Sequence, residues 1–120
     1  MRHGFNYVVE KLTKAVYCLA VGTGSQQSRL HGAFLSFQAL KAEDFPEGDL
    51  RESWESVKSR LTALEEPSPN VVGDVRHTLN RMSDEEALDL AKDIVELCFG
   101  CRSFESERKQ TNQATRLEPR

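Results

Sequence analysis

Apolar side chains in this chain recur three and four positions apart in five successive segments, with no useful stretch in which they alternate every second residue. Side chains at that spacing share one face of an α-helix, whereas a half-buried strand needs a period of two, so the pattern restricts the fold to helices. A helix that is apolar along one stripe must bury that stripe against another element. The expectation is an all-α fold: a compact bundle of four to five helices over residues 1–102, followed by a flexible C-terminal tail over residues 103–120.

The first segment, about residues 5 to 21, carries Phe5, Val8, Val9, Leu12, Val16 and Leu19 on one face, and Gly22 suits the left-handed conformation that closes helices. The second, about residues 25 to 41, presents Leu30, Ala33, Phe34, Phe37 and Leu40, with Leu35 widening the stripe. Asp44 and Pro46 then read as the cap and first residue of a third helix. Its Leu50, Trp54, Val57, Leu61 and Leu64 step by four and three, the seam of a helix set against near-antiparallel neighbours. Pro67 and Pro69 cannot continue that ladder. A shorter fourth helix, about Asn70 to Arg81, shows Val72, Val75 and Leu79, with Met82 closing the stripe. The fifth starts with the clearest local signal, Ser83 followed three residues later by Glu86, a capping box. Its Ala87, Leu90, Ala91, Ile94, Leu97 and Cys98 face inward, and Gly100 supplies the stop. From about Ser103 the apolar content almost vanishes, so ordering that stretch costs backbone entropy with little burial in return.

A length of 120 residues fits one domain with a core of its own. Sixteen basic against nineteen acidic side chains leave a net charge of -3, which provides no long-range field toward nucleic acid or an anionic membrane. No run approaches the roughly 20 apolar residues that a membrane span requires. The segment "AVYCLAVG" imitates a secretory signal, but Glu10, Lys11 and Lys14 break the apolar run such a signal needs. Three cysteines, an odd number, agree with a reducing compartment, and the chain reads as cytoplasmic without a membrane partner.

The loop "VGTGSQQSR", residues 21–29, most resembles a ligand site. A dinucleotide fingerprint would place glycines at three positions after a strand, but here the third position is Gln27 and a helix precedes it. The structural reading is a tight reversal between two helices. The functional alternative is an anion site, with Thr23, Gly24, Ser25 and Arg29 holding a carboxylate or phosphate at the start of the second helix. Cys98 and Cys101 form a C-x-x-C pair, but at a helix C-terminus the dipole disfavours a thiolate, and neither Cys18 nor His3, His31 or His77 forms a second short-spaced pair for zinc. Cys98 reads as a core residue and Cys101 as an exposed thiol. No metal and no cofactor is expected. His31 and His77 lack a partner at nucleophile spacing, and the acidic side chains from Asp84 to Glu96 lack the pattern of a calcium loop. Arg51, Lys58, Arg60, Arg76 and Arg81 could form a phosphate-binding patch, but Glu52 and Glu55 dilute it and exposed aromatic residues are lacking.

The order "KLTKAVYCLAVGTGSQQSRLHGAF", "DFPEGDLRESWESVKSRLTA" and "MSDEEALDLAKDIVELC" resembles a group of small uncharacterised bacterial proteins in which a helix ends in a Gly-x-Gly turn and the next carries Arg-Leu. The likeness covers about residues 11 to 98. It implies a bacterial cytoplasmic helical domain and brings no activity with it.

Because packing accounts for most residues at helical spacing, no convergent polar constellation is left for catalysis. The expected role is non-enzymatic: an interaction or regulatory module that docks a protein partner or another copy of itself. Nucleic-acid binding through the basic patch ranks second, beside small-anion binding at the turn from Gly22 to Ser28.

Overall fold

The computed structural model describes residues 4–65 and 70–117, with side chains through residue 110. Five α-helices occur among them, in the order α1 (Phe5–Val21), α2 (Gln26–Phe37), α3 (Asp49–Leu61), α4 (Val71–Asn80) and α5 (Asp84–Leu117), with a single 3-10 turn at Ala42–Asp44 and no strand. The all-α fold expected from the periodicity is the fold observed.

α5 is the spine. It runs antiparallel to α1, since Phe5 meets Phe104 edge to face at 5.1 Å while Thr13 Oγ1 lies 3.9 Å from Cys98 Sγ. It runs antiparallel to α3 as well, with Leu50 against Gly100 at one end and Arg60 bonded to Asp93 nearer the other. Between these helices the predicted stripes meet: Phe5, Val8, Leu12 and Leu19 of α1, Leu30, Phe34 and Phe37 of α2, and Leu90, Ile94 and Leu97 of α5 are all buried. Each large apolar side chain so buried contributes about 1.5–3 kcal/mol. Trp54 anchors the α3 side, stacked on Phe45 at 5.1 Å and edge-on to Phe37 at 5.3 Å.

The α1–α2 reversal uses its glycines differently from the expectation. Gly22 has φ -64, so it does not close α1 in the left-handed conformation. What it supplies is space, because a Cβ there would lie 2.5 Å from the Cys18 carbonyl oxygen. The positive φ, 87, belongs to Gly24. Ser25 then caps α2, its Oγ accepting from the Ser28 N–H at 3.1 Å. At the other end of α2, Asp44 and Pro46 do not start α3. Asp44 closes the 3-10 turn, its Oδ2 accepting from the Lys41 N–H at 2.9 Å, and α3 begins only at Asp49. α4 has a side-chain cap that the sequence reading did not assign, Asn70, whose Oδ1 accepts from the Gly73 N–H at 2.7 Å. The capping box of α5 is present in both directions: Glu86 N–H to Ser83 Oγ at 3.1 Å and Ser83 N–H to Glu86 Oε1 at 3.0 Å.

The stop expected at Gly100 is corrected. α5 passes through it, and through the boundary drawn at residue 103, for 34 residues in all. A mid-helix glycine costs about 1 kcal/mol, but the turns beyond it recover burial. Cys101 is fully buried, Phe104 packs on Phe5, and Glu105 is buried while bonded to Arg108 at 3.1 Å. Tertiary packing therefore outweighs local propensity here. Other departures are single residues: Leu35, Leu64 and Val72, assigned to inward stripes, are exposed. Pro67 and Pro69 lie outside the described residues. No helix is long and apolar enough to cross a membrane among the described residues.

Candidate functional site

Four large apolar side chains stay in solvent on the two helices that form the long antiparallel pair: Tyr17 (66% exposed) and Val21 (56%) on α1, and Leu88 (49%) and Phe99 (57%) on α5. Leu88 and Phe99 are eleven residues apart, about three helical turns, so they share a face, with the half-buried Val95 between them. On α1, Thr13 touches Cys98, and Tyr17 lies one turn further on. In an antiparallel pair that turn leads back along α5 toward Val95, so Tyr17 stands level with the middle of the α5 stripe. Single exposed apolar residues are ordinary, but a row of them along one helix seam is the usual mark of a contact surface. In sequence, the signal is that these residues fall off the buried stripes.

The loop residues singled out for an anion separate. Thr23 and Gly24 are exposed, and Arg29 turns back over Gly22, its Cγ 3.1 Å from where a Cβ would stand, with its Nε buried and unbonded. Ser25 of that set lines a cleft. This hollow of about 260 Å³ lies between α2 and α4 and is formed by Ser25, Gln27, Ser28, His31, Arg76 and neighbouring side chains of α4. The imidazole Nε2 of His31 is buried and has no hydrogen-bond partner. His31 and Arg76 are 45 positions apart in sequence, and only the packing of α2 on α4 brings them to one cleft.

The five basic residues do not form one patch. Arg51 donates from Nε and Nη2 to the Phe45 carbonyl at 3.1 and 2.7 Å, and Arg60 donates to Asp93 at 2.6 Å. Arg81 bonds His77 Nδ1 at 3.0 Å. Arg60 and Arg81 do share a hollow, but Glu86 and Asp89 line it too. Lys58 faces a different groove beside Trp54, and Arg76 faces the α2 cleft.

Cys98 and Cys101 are both buried, so the expected exposure of Cys101 is corrected. Burial pushes the Cys98 thiol up, against smaller opposing effects from Thr13 and Arg102. Burial, with Cys98 adding to it, raises Cys101 to about 12. Both remain thiols at neutral pH and so are poor nucleophiles and poor ligands. Among the described residues no group of three or more His, Cys, Asp or Glu side chains is arranged to hold a metal ion, and His3 lies outside them. Set against family models, curated proteins and solved structures, the chain matches none.

Proposed function

We propose that this protein is a cytoplasmic, non-enzymatic interaction module that docks a protein partner, or a second copy of itself, through the α1–α5 seam. The observation that carries the reading is the row formed by Tyr17, Leu88 and Phe99, apolar side chains that the complete core beneath them does not need. Aromatic anchors at the centre of an interface commonly contribute about 2 kcal/mol or more each. The test is a mass-spectrometric pull-down from native lysate combined with light scattering of the purified chain. A stoichiometric partner or a dimer is expected for the wild type, weakened at least about 10-fold in Tyr17→Glu/Phe99→Glu, with the thermal midpoint unchanged. Recovery of the same complex by the double variant, or of none by the wild type, sinks the reading.

A second reading, small-anion binding at the start of α2, is supported by the cleft that holds Ser25, Ser28, His31 and Arg76, where the helix dipole also favours negative charge. Phosphate titration followed at the Gln26 and Gln27 amides tests it, and the absence of saturable shifts, or shifts unchanged in Arg76→Ala, rejects it. Nucleic-acid binding ranks below both, since Arg51, Arg60 and Arg81 already donate inside the fold.

A further inference from the structure

The outer row of α5 complements itself. From Glu85 it reaches Leu88, Lys92, Val95, Phe99 and Arg102 in steps of three, four, three, four and three, the spacing that keeps one stripe turned toward one partner helix. Leu88 and Phe99 are exposed and Val95 is half-buried. Glu85, Lys92 and Arg102 are exposed too, and none forms an ion pair among the described residues. The row is symmetric about the point between Asp93 and Ile94: Leu88 and Phe99 lie equally far from it on either side, as do Lys92 and Val95, and Glu85 and Arg102.

A surface that meets itself across a two-fold axis brings residue i to j and j to i. With a second α5 laid antiparallel and the axis at that point, Leu88 meets Phe99 twice, and Glu85 at each end meets Arg102 of the other copy. Near the axis, Lys92 comes level with Glu96 of the other copy on the same edge of the pair. Other registers are worse: a slide of seven residues sets Lys92 against Arg102, or Glu85 against Val95. Tyr17 falls at the same level, since Thr13 meets Cys98 and one turn on leads back to Ile94. Such an axis keeps both copies of α1 on one side of the α5 pair, so the two Tyr17 rings approach each other beside it.

The extent of this face sets the strength of the contact. From Glu85 to Arg102 it is about 26 Å long, and α5 with the edge of α1 makes it about 20 Å wide. That is about 500 Å² per copy and about 1,000 Å² in all, the lower limit for a specific protein contact. The corresponding dissociation constant is about 10–100 µM.

We infer that the occupant of the α1–α5 seam is a second copy of this chain, held as an antiparallel two-fold dimer with Leu88 on Phe99 and Glu85 on Arg102. The inference rests on the docking reading above and names its partner.

Sedimentation equilibrium of the full chain at low salt tests it, with two charge reversals, Glu85→Lys and Arg102→Glu. Within one chain these residues stand about 26 Å apart, so they meet only between copies. Each variant alone faces two repulsive pairs and should dimerise about 10-fold more weakly. An equimolar mixture of the two restores attraction at both ends and should return to within about 3-fold of the wild type. Both residues are exposed, and a thermal melt of each variant separates loss of fold from loss of contact. A wild type still monomeric at about 1 mM overturns the inference, while a different protein captured through Tyr17 and Phe99 would keep the docking reading. A dimer weakened by Tyr17→Glu/Phe99→Glu but indifferent to the charge reversals, or not rescued by mixing, overturns this register alone. A dimer that ignores all four substitutions lies elsewhere and removes both readings.

Discussion

Replacing Gly100 with alanine decides, by the sign of one number, whether α5 runs through that residue or ends at it. Were Gly100 the left-handed cap expected from its neighbours, a Cβ would be forced into a strained conformation, and alanine would cost about 1 kcal/mol. In the structure it has helical neighbours on both sides and is not among the positive-φ glycines. Alanine then gains the propensity difference, about 0.8–1 kcal/mol in a helix interior. Against that stands one close approach, since the new Cβ would lie 2.9 Å from Leu50 Cδ2. That atom is the far end of a flexible side chain, and Leu50 lines an open hollow of about 520 Å³ between α3 and α5, so the methyl has room to rotate. Such a shift costs a few tenths of a kcal/mol, so the net effect is a stabilisation of about 0.5 kcal/mol. On a domain of this size that raises the thermal midpoint by about 2–3 °C. Reversible urea unfolding followed by circular dichroism measures it, with Leu50→Ala as the second arm. In that background the obstruction is gone, the gain rises toward about 1 kcal/mol, and the cycle isolates the Leu50 contact. A Gly100→Ala variant less stable than wild type by about 0.5 kcal/mol or more, in both backgrounds, would refute the continuous helix.

The buried thiols and the α5 cap each lead to a pair of measurable outcomes. A thiol reagent at neutral pH should modify the half-buried Cys18 first and spare Cys98 and Cys101 until the chain unfolds. Since burial holds Cys101 near 12 against an ordinary 9.0, the unfolded chain ionises first, so stability is retained below about pH 9 and falls as pH rises past it. Rapid modification of all three thiols in the folded protein would contradict this packing. Ser83→Ala should cost about 1 kcal/mol in urea unfolding, the usual loss for a cap. The Ser83 backbone N–H and then its hydroxyl hold Glu86 below its ordinary 4.5, so the Glu86 contribution is present above that pH and is lost as pH falls through the lower folded value. Glu86→Gln and wild type should therefore converge in stability in acid, and a difference that persists there counts against the charged cap.

Local signals in the sequence are sufficient where a single segment decides the outcome. α1 has the bounds its stripe predicts, and the Ser83–Glu86 box starts α5 because both halves of the motif lie within one turn. Local pattern misleads where distant residues decide. Gly100 resembles a stop until Leu50 is seen beside it and Phe5 is seen packing on Phe104 one turn beyond, contacts that no window of neighbours contains. Asp44 and Pro46 resemble a helix start, but Asp44 caps the Lys41 amide and Phe45 goes to Trp54. The candidate sites follow the same division. Periodicity marks Tyr17 and Phe99 as lying off the buried stripes, but only the antiparallel pairing of α1 with α5 sets them on one seam. The His31–Arg76 cleft is invisible in sequence for that reason.

The division between core and surface also makes the proposed docking face separable from folding. On α1, Phe5, Val8, Leu12, Ala15 and Leu19 are already buried at 7% exposure or less, whereas Tyr17 is 66% exposed and contributes little to that packing. A polar substitution at such a position removes little apolar burial from the folded chain, and surface changes of this kind usually fall within about 0.5 kcal/mol. The same substitution in a partner's interface would place a charge in a desolvated pocket, where the cost is several-fold larger. Substitution at Tyr17 and Phe99 should therefore weaken association with little effect on stability, whereas substitution at Leu12 and Ile94, which lie under the seam with no exposure at all, should lower stability first. If Tyr17→Glu unfolded the chain as readily as Leu12→Ala, the exposed row would belong to the core, and the seam would have no surface left to offer a partner.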